Sequence, residues 1–272
     1  MSHAYQLQGR RDVSQRPLFR LSIPFIARFF ICLACALGAS PQARAAVAYV
    51  QGASLTSYAQ LSATVTYSSA QQAGDLNIVQ IAKYNTTSWN SLSVTDSVGN
   101  YYYPAGDTGN ANFLVFFAAN ILPAAPGANT VTVTFSNCNP CPSVRSSNIN
   151  PNLKFTPQLI VNIAEYSGIA TNAVDVTVAA SGTGATVSSG PVSTTNANDL
   201  LVGAYFSTNY PGTATPGAGY TARGGSGGEA FIEDMTVASL GSYSATALSS
   251  GASGWTIELI AFRAKSTGSI CD

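Results

Sequence analysis

The chain has 272 residues, of which 46% are hydrophobic and only 9% are charged, and its 12 basic and 12 acidic residues balance at neutral pH. No cluster of lysine and arginine follows the first 45 residues, which excludes electrostatic binding of nucleic acid. The single histidine, His3, lies near the N-terminus. Without it, the rest of the chain has no Ser-His-Asp or Cys-His catalysis and no conventional zinc site.

Residues 1–45 have the features of a signal peptide. A basic start is followed by an apolar stretch over residues 21–37, and Ala43-Arg44-Ala45 fits a cleavage site before Ala46. A membrane anchor is the alternative, but this stretch has only 17 residues and contains Arg28, whereas a spanning helix needs roughly 20 apolar residues. We therefore expect a secreted protein, extracellular or on the cell surface, whose mature chain does not insert into a membrane.

Removal of this leader changes the charge of the protein. It takes away six basic residues and one acidic residue, which leaves six basic and 11 acidic residues and a net charge of −5. A negative chain is repelled by nucleic acid and by anionic membrane surfaces. Neither is therefore an expected partner.

After the leader, short apolar or alternating runs are separated by Gly, Asn, Pro and Ser, which is the pattern of an all-β protein. In one of them Val131 and Val133 alternate with threonines, as in a strand with one buried and one exposed face. No segment has an apolar stripe at helical spacing. The predicted strands lie near residues 47–52, 61–67, 75–83, 91–96, 101–103, 112–119, 129–135, 157–166, 173–179, 185–193, 199–206, 229–237, 242–248 and 254–263.

The second half of the mature chain repeats the first. Four strand-like segments return in the same order, at offsets of 124, 118, 114 and 96 residues. We expect a single jelly-roll-like antiparallel β-sandwich over residues 46–266, to which the halves contribute equivalent strands in two packed sheets, and a C-terminal tail at 267–272. Two separate sandwiches are the alternative. The matching segments are 73–76 and 197–200, 113–114 and 231–232, 130–133 and 244–247, and 159–163 and 255–259.

The first half holds about 18 extra residues between 137 and 157, a segment that contains Cys138 and Cys141. In a secreted protein these cysteines can close a small disulfide, which stabilises a local loop by roughly 2 kcal/mol. A redox motif is the alternative, but such motifs open a helix, and this one follows a strand. Cys271 remains either free or paired with another chain.

Several turn and strand-start motifs resemble those of a known group of domains. With them the chain is similar, over about residues 55–264, to uncharacterised secreted bacterial β-sandwich domains that are loosely grouped with concanavalin A-like jelly rolls. The resemblance implies a fold and an export route, and it carries over no catalytic or binding residue. The motifs are Ala73-Gly74-Asp75-Leu76, the segment 93–101, Glu165-Tyr166-Ser167-Gly168 and Ala197-Asn198-Asp199-Leu200.

Glycoside hydrolysis needs two carboxylates and no histidine. The best candidates are Glu229, Glu233 and Asp234. Along a strand Glu229 and Glu233 would lie roughly 13 Å apart, farther than the ~5–9.5 Å that separates the acids of glycosidases, and Asp234 would face the opposite side. We therefore predict no catalytic residue and no enzyme, unless acids from separate strands converge.

Calcium is a weaker possibility, because Asp96, Asp107 and Asp175 could supply oxygen ligands. They form no acidic cluster with the spacing of a calcium loop. Asp96 precedes a turn with Gly99, and we interpret it as capping that turn. The sequence therefore predicts no metal site and no cofactor.

Sugar binding needs exposed aromatic rings with a few polar partners. Trp89 lies in a polar segment, and Tyr101 and Tyr103 share one strand face. The alternative is that these rings belong to the core or to cross-strand pairs. We expect a secreted non-catalytic β-sandwich module that binds a carbohydrate or cell-surface polymer through these three residues. A structural or adhesive extracellular subunit and a glycoside-active enzyme are the alternatives.

Overall fold

A computed structural model describes residues 46–58, 62–84, 89–138, 158–208, 213–226, 228–250 and 254–266. These residues form strands and turns without any helix, which confirms the all-β prediction. In the described part of the chain, therefore, no helix is long and apolar enough to cross a membrane. The predicted signal peptide, the tail, Cys141 and Cys271 lie outside the described residues.

The first half of the described chain forms two antiparallel sheets. The five-stranded sheet, here called inner sheet 1, has the order β1-β8-β3-β6-β5, and the three-stranded outer sheet 1 has the order β2-β7-β4. The strands are β1 (Ala48–Tyr58), β2 (Ser62–Thr66), β3 (Leu76–Tyr84), β4 (Trp89–Asp96), β5 (Tyr103–Pro104), β6 (Phe113–Ala119), β7 (Thr130–Cys138) and β8 (Gln158–Ser167).

The second half forms inner sheet 2, with the order β14-β15-β12-β18-β9, and outer sheet 2, with the order β10-β17-β13. A short pair, β11 and β16, adds to them. The strands are β9 (Ile169–Thr183), β10 (Thr186–Ser188), β11 (Val192–Ser193), β12 (Leu200–Ser207), β13 (Ala214–Pro216), β14 (Thr221–Ser226), β15 (Ala230–Thr236), β16 (Ser242–Tyr243), β17 (Thr246–Ser249) and β18 (Gly254–Ala264).

The two inner sheets have the same strand order, so the sequence repeat corresponds to a structural one. Leu76 pairs with Tyr166 as Leu200 pairs with Phe262, which reproduces the offsets of 124 and 96 noted in the sequence. On the other side, Leu76 pairs with Ala119 and Leu200 with Thr236. That register matches Phe113 with Ala230, and the predicted match of Phe113 with Phe231 is wrong by one residue.

Three apolar cores separate the four sheets into layers. The central core lies between the two inner sheets, and each outer sheet covers the other face of the inner sheet from its own half. The inner sheets thus form the expected sandwich of equivalent strands, one sheet from each half. The outer sheets are an addition that the sequence analysis did not anticipate.

Burial along each strand follows from its layer. All nine residues of β3 are buried, because an inner sheet has a core on both faces. In β7 of outer sheet 1, Val131 and Val133 are buried, whereas the threonines between them face outwards, as the alternation predicted. Outward hydroxyls pair across strands, for example Thr66 with Thr130 at 2.9 Å.

Equivalent tight turns lead into the two central strands β3 and β12. Gly74 has φ = 93° and its counterpart Asn198 has φ = 63°, a left-handed conformation that glycine and asparagine adopt most readily. The buried Asp75 and Asp199 follow, and their carbonyls accept hydrogen bonds at 3.0 Å and 2.9 Å from Ile121 and Val237. The repeated motif therefore encodes a turn that sets the start of each strand.

Candidate functional site

The inner sheets meet along two lines, and the edge strands β1 and β9 that form them occupy the same place in their sheets. In one, β1 of inner sheet 1 lies over β14 of inner sheet 2, and in the other, β9 of inner sheet 2 lies over β6 of inner sheet 1. We call these the first and the second seam. Each contains an edge strand from one half and strands from the other.

A cleft of about 530 Å³ opens at the first seam. Tyr49 of β1 lines one side, and Thr221 and Arg223 of β14 with Asp234 of β15 line the other. Arg223 Nε donates a hydrogen bond of 2.7 Å to Asp234 Oδ2. The guanidinium carbon lies 4.4 Å from the centre of the Tyr49 ring, within cation–π range. The cleft thus joins an aromatic ring, an ion pair and hydroxyl groups.

The electrostatics of the cleft follow from these contacts. The hydrogen bond to Asp234 raises the pKa of Arg223, so its positive charge is fixed. Burial raises the pKa of Tyr49. Burial also raises the pKa of Tyr166, and the negative charge of Asp234 adds to this effect. Tyr166 lies beneath, edge-on to Tyr49 with ring centres 5.7 Å apart. Both tyrosines therefore keep their hydroxyl protons, and Tyr49 lines the cleft as a neutral group.

The second seam contains aromatic rings at the positions equivalent to these. Phe262 occupies the register position of Tyr166, and Phe117 that of Asp234. The rings of Phe117 and Phe262 pack edge-on with centres 5.8 Å apart, and Tyr103 packs on Phe117 at 6.3 Å. At these equivalent positions, therefore, the second seam has aromatic packing and the first seam has charged and hydroxylated side chains.

This difference makes the first seam the candidate site. Asp234 is buried and Arg223 is partly exposed, and an ion pair with a buried member is often replaced by apolar side chains without loss of stability, because burial of a charge costs hydration. The second seam shows that the same strand geometry accepts phenylalanines. The fold therefore does not require polar side chains at the first seam. In proteins, such departures from apolar packing are concentrated at functional sites.

The aromatic residues predicted to bind ligand do not lie together. The side chains of Tyr101 and Tyr103 are 81% and 59% exposed, although Tyr103 also packs on Phe117. Trp89 begins β4 and its backbone pairs with Cys138; its side chain lies outside the described residues. Asp96, near the tyrosines, ends the same strand, and seven residues of strand span roughly 23 Å. Trp89 is thus remote from the two tyrosines.

The three acidic candidates do not form a pair either. Glu233 faces the core under outer sheet 2, where its Oε2 accepts a hydrogen bond of 3.0 Å from the Gly217 amide, and burial raises its pKa to about 7. Asp234 points to the opposite face, towards Arg223. Glu229 accepts a hydrogen bond of 3.2 Å from Gln158. Their separate environments do not suit joint acid–base catalysis.

All three possible calcium ligands accept hydrogen bonds from other groups of the protein. Asp96 accepts hydrogen bonds of 2.8 Å and 2.9 Å from the Gly99 and Asn100 amides, as expected for a turn cap. Asp175 accepts one of 2.8 Å from Arg263. Asp107 accepts one of 2.9 Å from the Gly109 amide. Among the described residues, no group of three or more His, Cys, Asp or Glu side chains converges to hold a metal ion.

Sequence reasoning did not find Tyr49, Tyr166 and Arg223. A signal was present for one of them, because Arg223 is one of only six basic residues after residue 45 and precedes Gly224-Gly225, an unusual setting for a charged residue that serves only solubility. The seam that unites the three side chains depends on how the sheets pack, which no local pattern indicates.

Comparisons with protein-family models, curated proteins and solved structures gave no match.

Proposed function

We propose that the protein is a secreted, non-catalytic, lectin-like module that binds a carbohydrate or another polyhydroxylated surface polymer in the cleft of the first seam. The observation that carries this proposal is the Tyr49–Arg223–Asp234 arrangement in a cleft whose counterpart is closed by phenylalanines. Export is supported by the leader-like residues 1–45.

The chemistry of the cleft suits a sugar ring. Sugars present C–H groups that pack against an aromatic face and hydroxyls that need donors and acceptors. Arg223 uses Nε for Asp234, and a guanidinium has four further N–H donors. Asp234 and the hydroxyl of Thr221 supply acceptors beside them. Because the ion pair has no net charge, the cleft favours neutral, hydroxyl-rich ligands over strongly charged ones.

A binding function fits this cleft better than hydrolysis. Glycosidases place two carboxylates on opposite sides of the scissile bond. Asp234 is the one carboxylate among the described residues that line the cleft, and it forms a salt bridge of 2.7 Å with Arg223. The chain after residue 45 has no histidine that could serve as the base.

We also infer that each half has a jelly-roll topology. Seven of the eight strands of the first half alternate between two facing antiparallel sheets, as in a jelly roll, whereas the short β5 joins inner sheet 1 beside β6. Inner sheet 2 repeats the strand order of inner sheet 1. In this interpretation the protein is a tandem pair of jelly rolls joined through their larger sheets.

A glycan array with the purified protein tests the binding proposal. We expect Tyr49→Ala and Arg223→Ala to weaken binding to the bound glycans at least about tenfold, since each removes a contact of about 1.4 kcal/mol or more. Tyr101→Ala, on an exposed ring away from the cleft, is the matched control and should bind like the wild type.

Two results would contradict the proposal. One is a protein that is folded but binds no glycan on the array. The other is binding that survives both cleft variants and is lost in Tyr101→Ala or Trp89→Ala, which would place the ligand at the aromatic residues chosen from the sequence.

A further inference from the structure

Glu258 is a buried carboxylate without a partner among the described residues. It lies on β18, faces the opposite inner sheet and is 1% exposed. Neither of its carboxylate oxygens has a hydrogen-bond partner in the described part of the chain. A buried acid is costly in either state, since the charged form needs positive charge or donors and the neutral form needs an acceptor.

The surroundings of Glu258 are rich in oxygen. The backbone at Gly106 passes so close to Glu258 Oε1 that a side chain at this position would collide with it, and Thr177 Oγ1 lies beside the same point. Asp107 is the next residue after Gly106, so it lies on the loop that contacts the Glu258 carboxylate. Thr256, on the same face of β18, accepts a hydrogen bond of 2.8 Å from Asn110.

The equivalent position in the first half has a different chemistry. Asn162 occupies on β8 the register position that Glu258 occupies on β18. Its amide nitrogen donates hydrogen bonds of 2.7 Å to Gln80 and 3.2 Å to the carbonyl of Ala230. An uncharged, bonded side chain is therefore compatible with this place in the fold, and the unpartnered carboxylate at Glu258 is specific to the second half.

We propose that Glu258 and Asp107 bind a calcium ion at the second seam. Ca²⁺ is a hard cation that takes six to eight oxygen ligands, including backbone carbonyls and hydroxyls as well as carboxylates, so two acids suffice when the loop 105–110 and Thr177 supply further oxygens. The ion would neutralise the buried charge that Asp107 otherwise opposes. With two carboxylates the affinity falls in the weak range of extracellular modules, about 10⁻⁴–10⁻³ M.

Thermal unfolding and calorimetric titration with CaCl₂ test this proposal on the whole protein. We expect 10 mM Ca²⁺ to raise the Tm by at least about 3 °C relative to EGTA, with Mg²⁺ much less effective. Glu258→Gln should abolish the shift. Asp107→Asn, on the exposed loop where folding is not at risk, should weaken Ca²⁺ binding at least about tenfold because affinity follows the ligand charge.

Glu233→Gln is the matched control, because it changes another buried acid of the same half that lies under outer sheet 2. It should keep the full Ca²⁺ response. A wild-type Tm that does not change with Ca²⁺ would overturn the proposal. A shift as large in Asp107→Asn as in the wild type, or one that is lost in Glu233→Gln, would overturn it as well.

Discussion

Asn198 shows how a single residue fixes the start of a strand. It has φ = 63° in the turn before β12, where the first half has Gly74 at φ = 93°. Asparagine tolerates this conformation better than other residues with a Cβ, and glycine tolerates it without strain. The repeat in the sequence preserves this requirement rather than an identical residue.

This requirement predicts different effects on stability for two substitutions at Asn198. Asn198→Gly should leave the free energy of unfolding within about 0.5 kcal/mol of the wild type, whereas Asn198→Ala should lower it by about 1 kcal/mol through left-handed strain. Urea unfolding of both variants measures the difference. Equal stabilities would show that the turn does not depend on the left-handed residue.

At the same scale, the sequence indicated some roles and missed others. The turn cap by Asp96 was predictable because Asp before a Gly-containing turn bonds local amides. The exposure of Tyr101 was consistent with its setting between turn residues. The partnership of Tyr49 with Arg223 was not predictable, since the two residues are 174 positions apart in the chain and meet only through sheet packing.

At the scale of strands, the all-β pattern and the repeat were predictable from the sequence, whereas the register of the repeated strands was harder to predict. Phe113-Leu114 and Phe231-Ile232 are apolar on both faces, as inner strands must be. Period-2 alternation, which normally fixes which residue points where, is absent from such strands. The sequence pattern is therefore equally compatible with an alignment of these two segments that is shifted by one residue.

Other strands were missed or divided for related reasons. β13 and β14 lie in a Gly-, Thr- and Pro-rich segment that has few of the residues typical of strands. The equivalence of β1 and β9 escaped notice because both edge strands contain an irregularity, beside Tyr49 and beside Val174. A bulge shifts the alternation of the residues that follow it.

For the whole molecule, buried acids predict an unusual pH dependence. Burial raises the pKa of Asp75 and Asp199 to about 6, of Glu233 to about 7 and of Glu258 to about 8. In the unfolded chain such acids titrate near 4. Between these values the native state holds protons that the unfolded state has lost, so unfolding becomes easier as the pH rises.

We therefore expect the free energy of unfolding, measured in urea without calcium, to fall between about pH 5 and pH 9. The lowered pKa values of Asp96 and Asp175 act in the opposite direction only in more acidic solution. Glu233→Gln should flatten the slope near pH 7. A stability that rises steadily over this interval would contradict the assignment of these acids as buried and protonated.

We propose that the polar side chains of the first seam serve ligand binding and not stability. The double variant Arg223→Met with Asp234→Leu tests it most directly, by thermal unfolding and the glycan array on the same preparation. Replacement of an ion pair by apolar side chains is often neutral or stabilising. We predict an unchanged or higher Tm together with loss of glycan binding. A clear fall in Tm with binding retained would contradict the account.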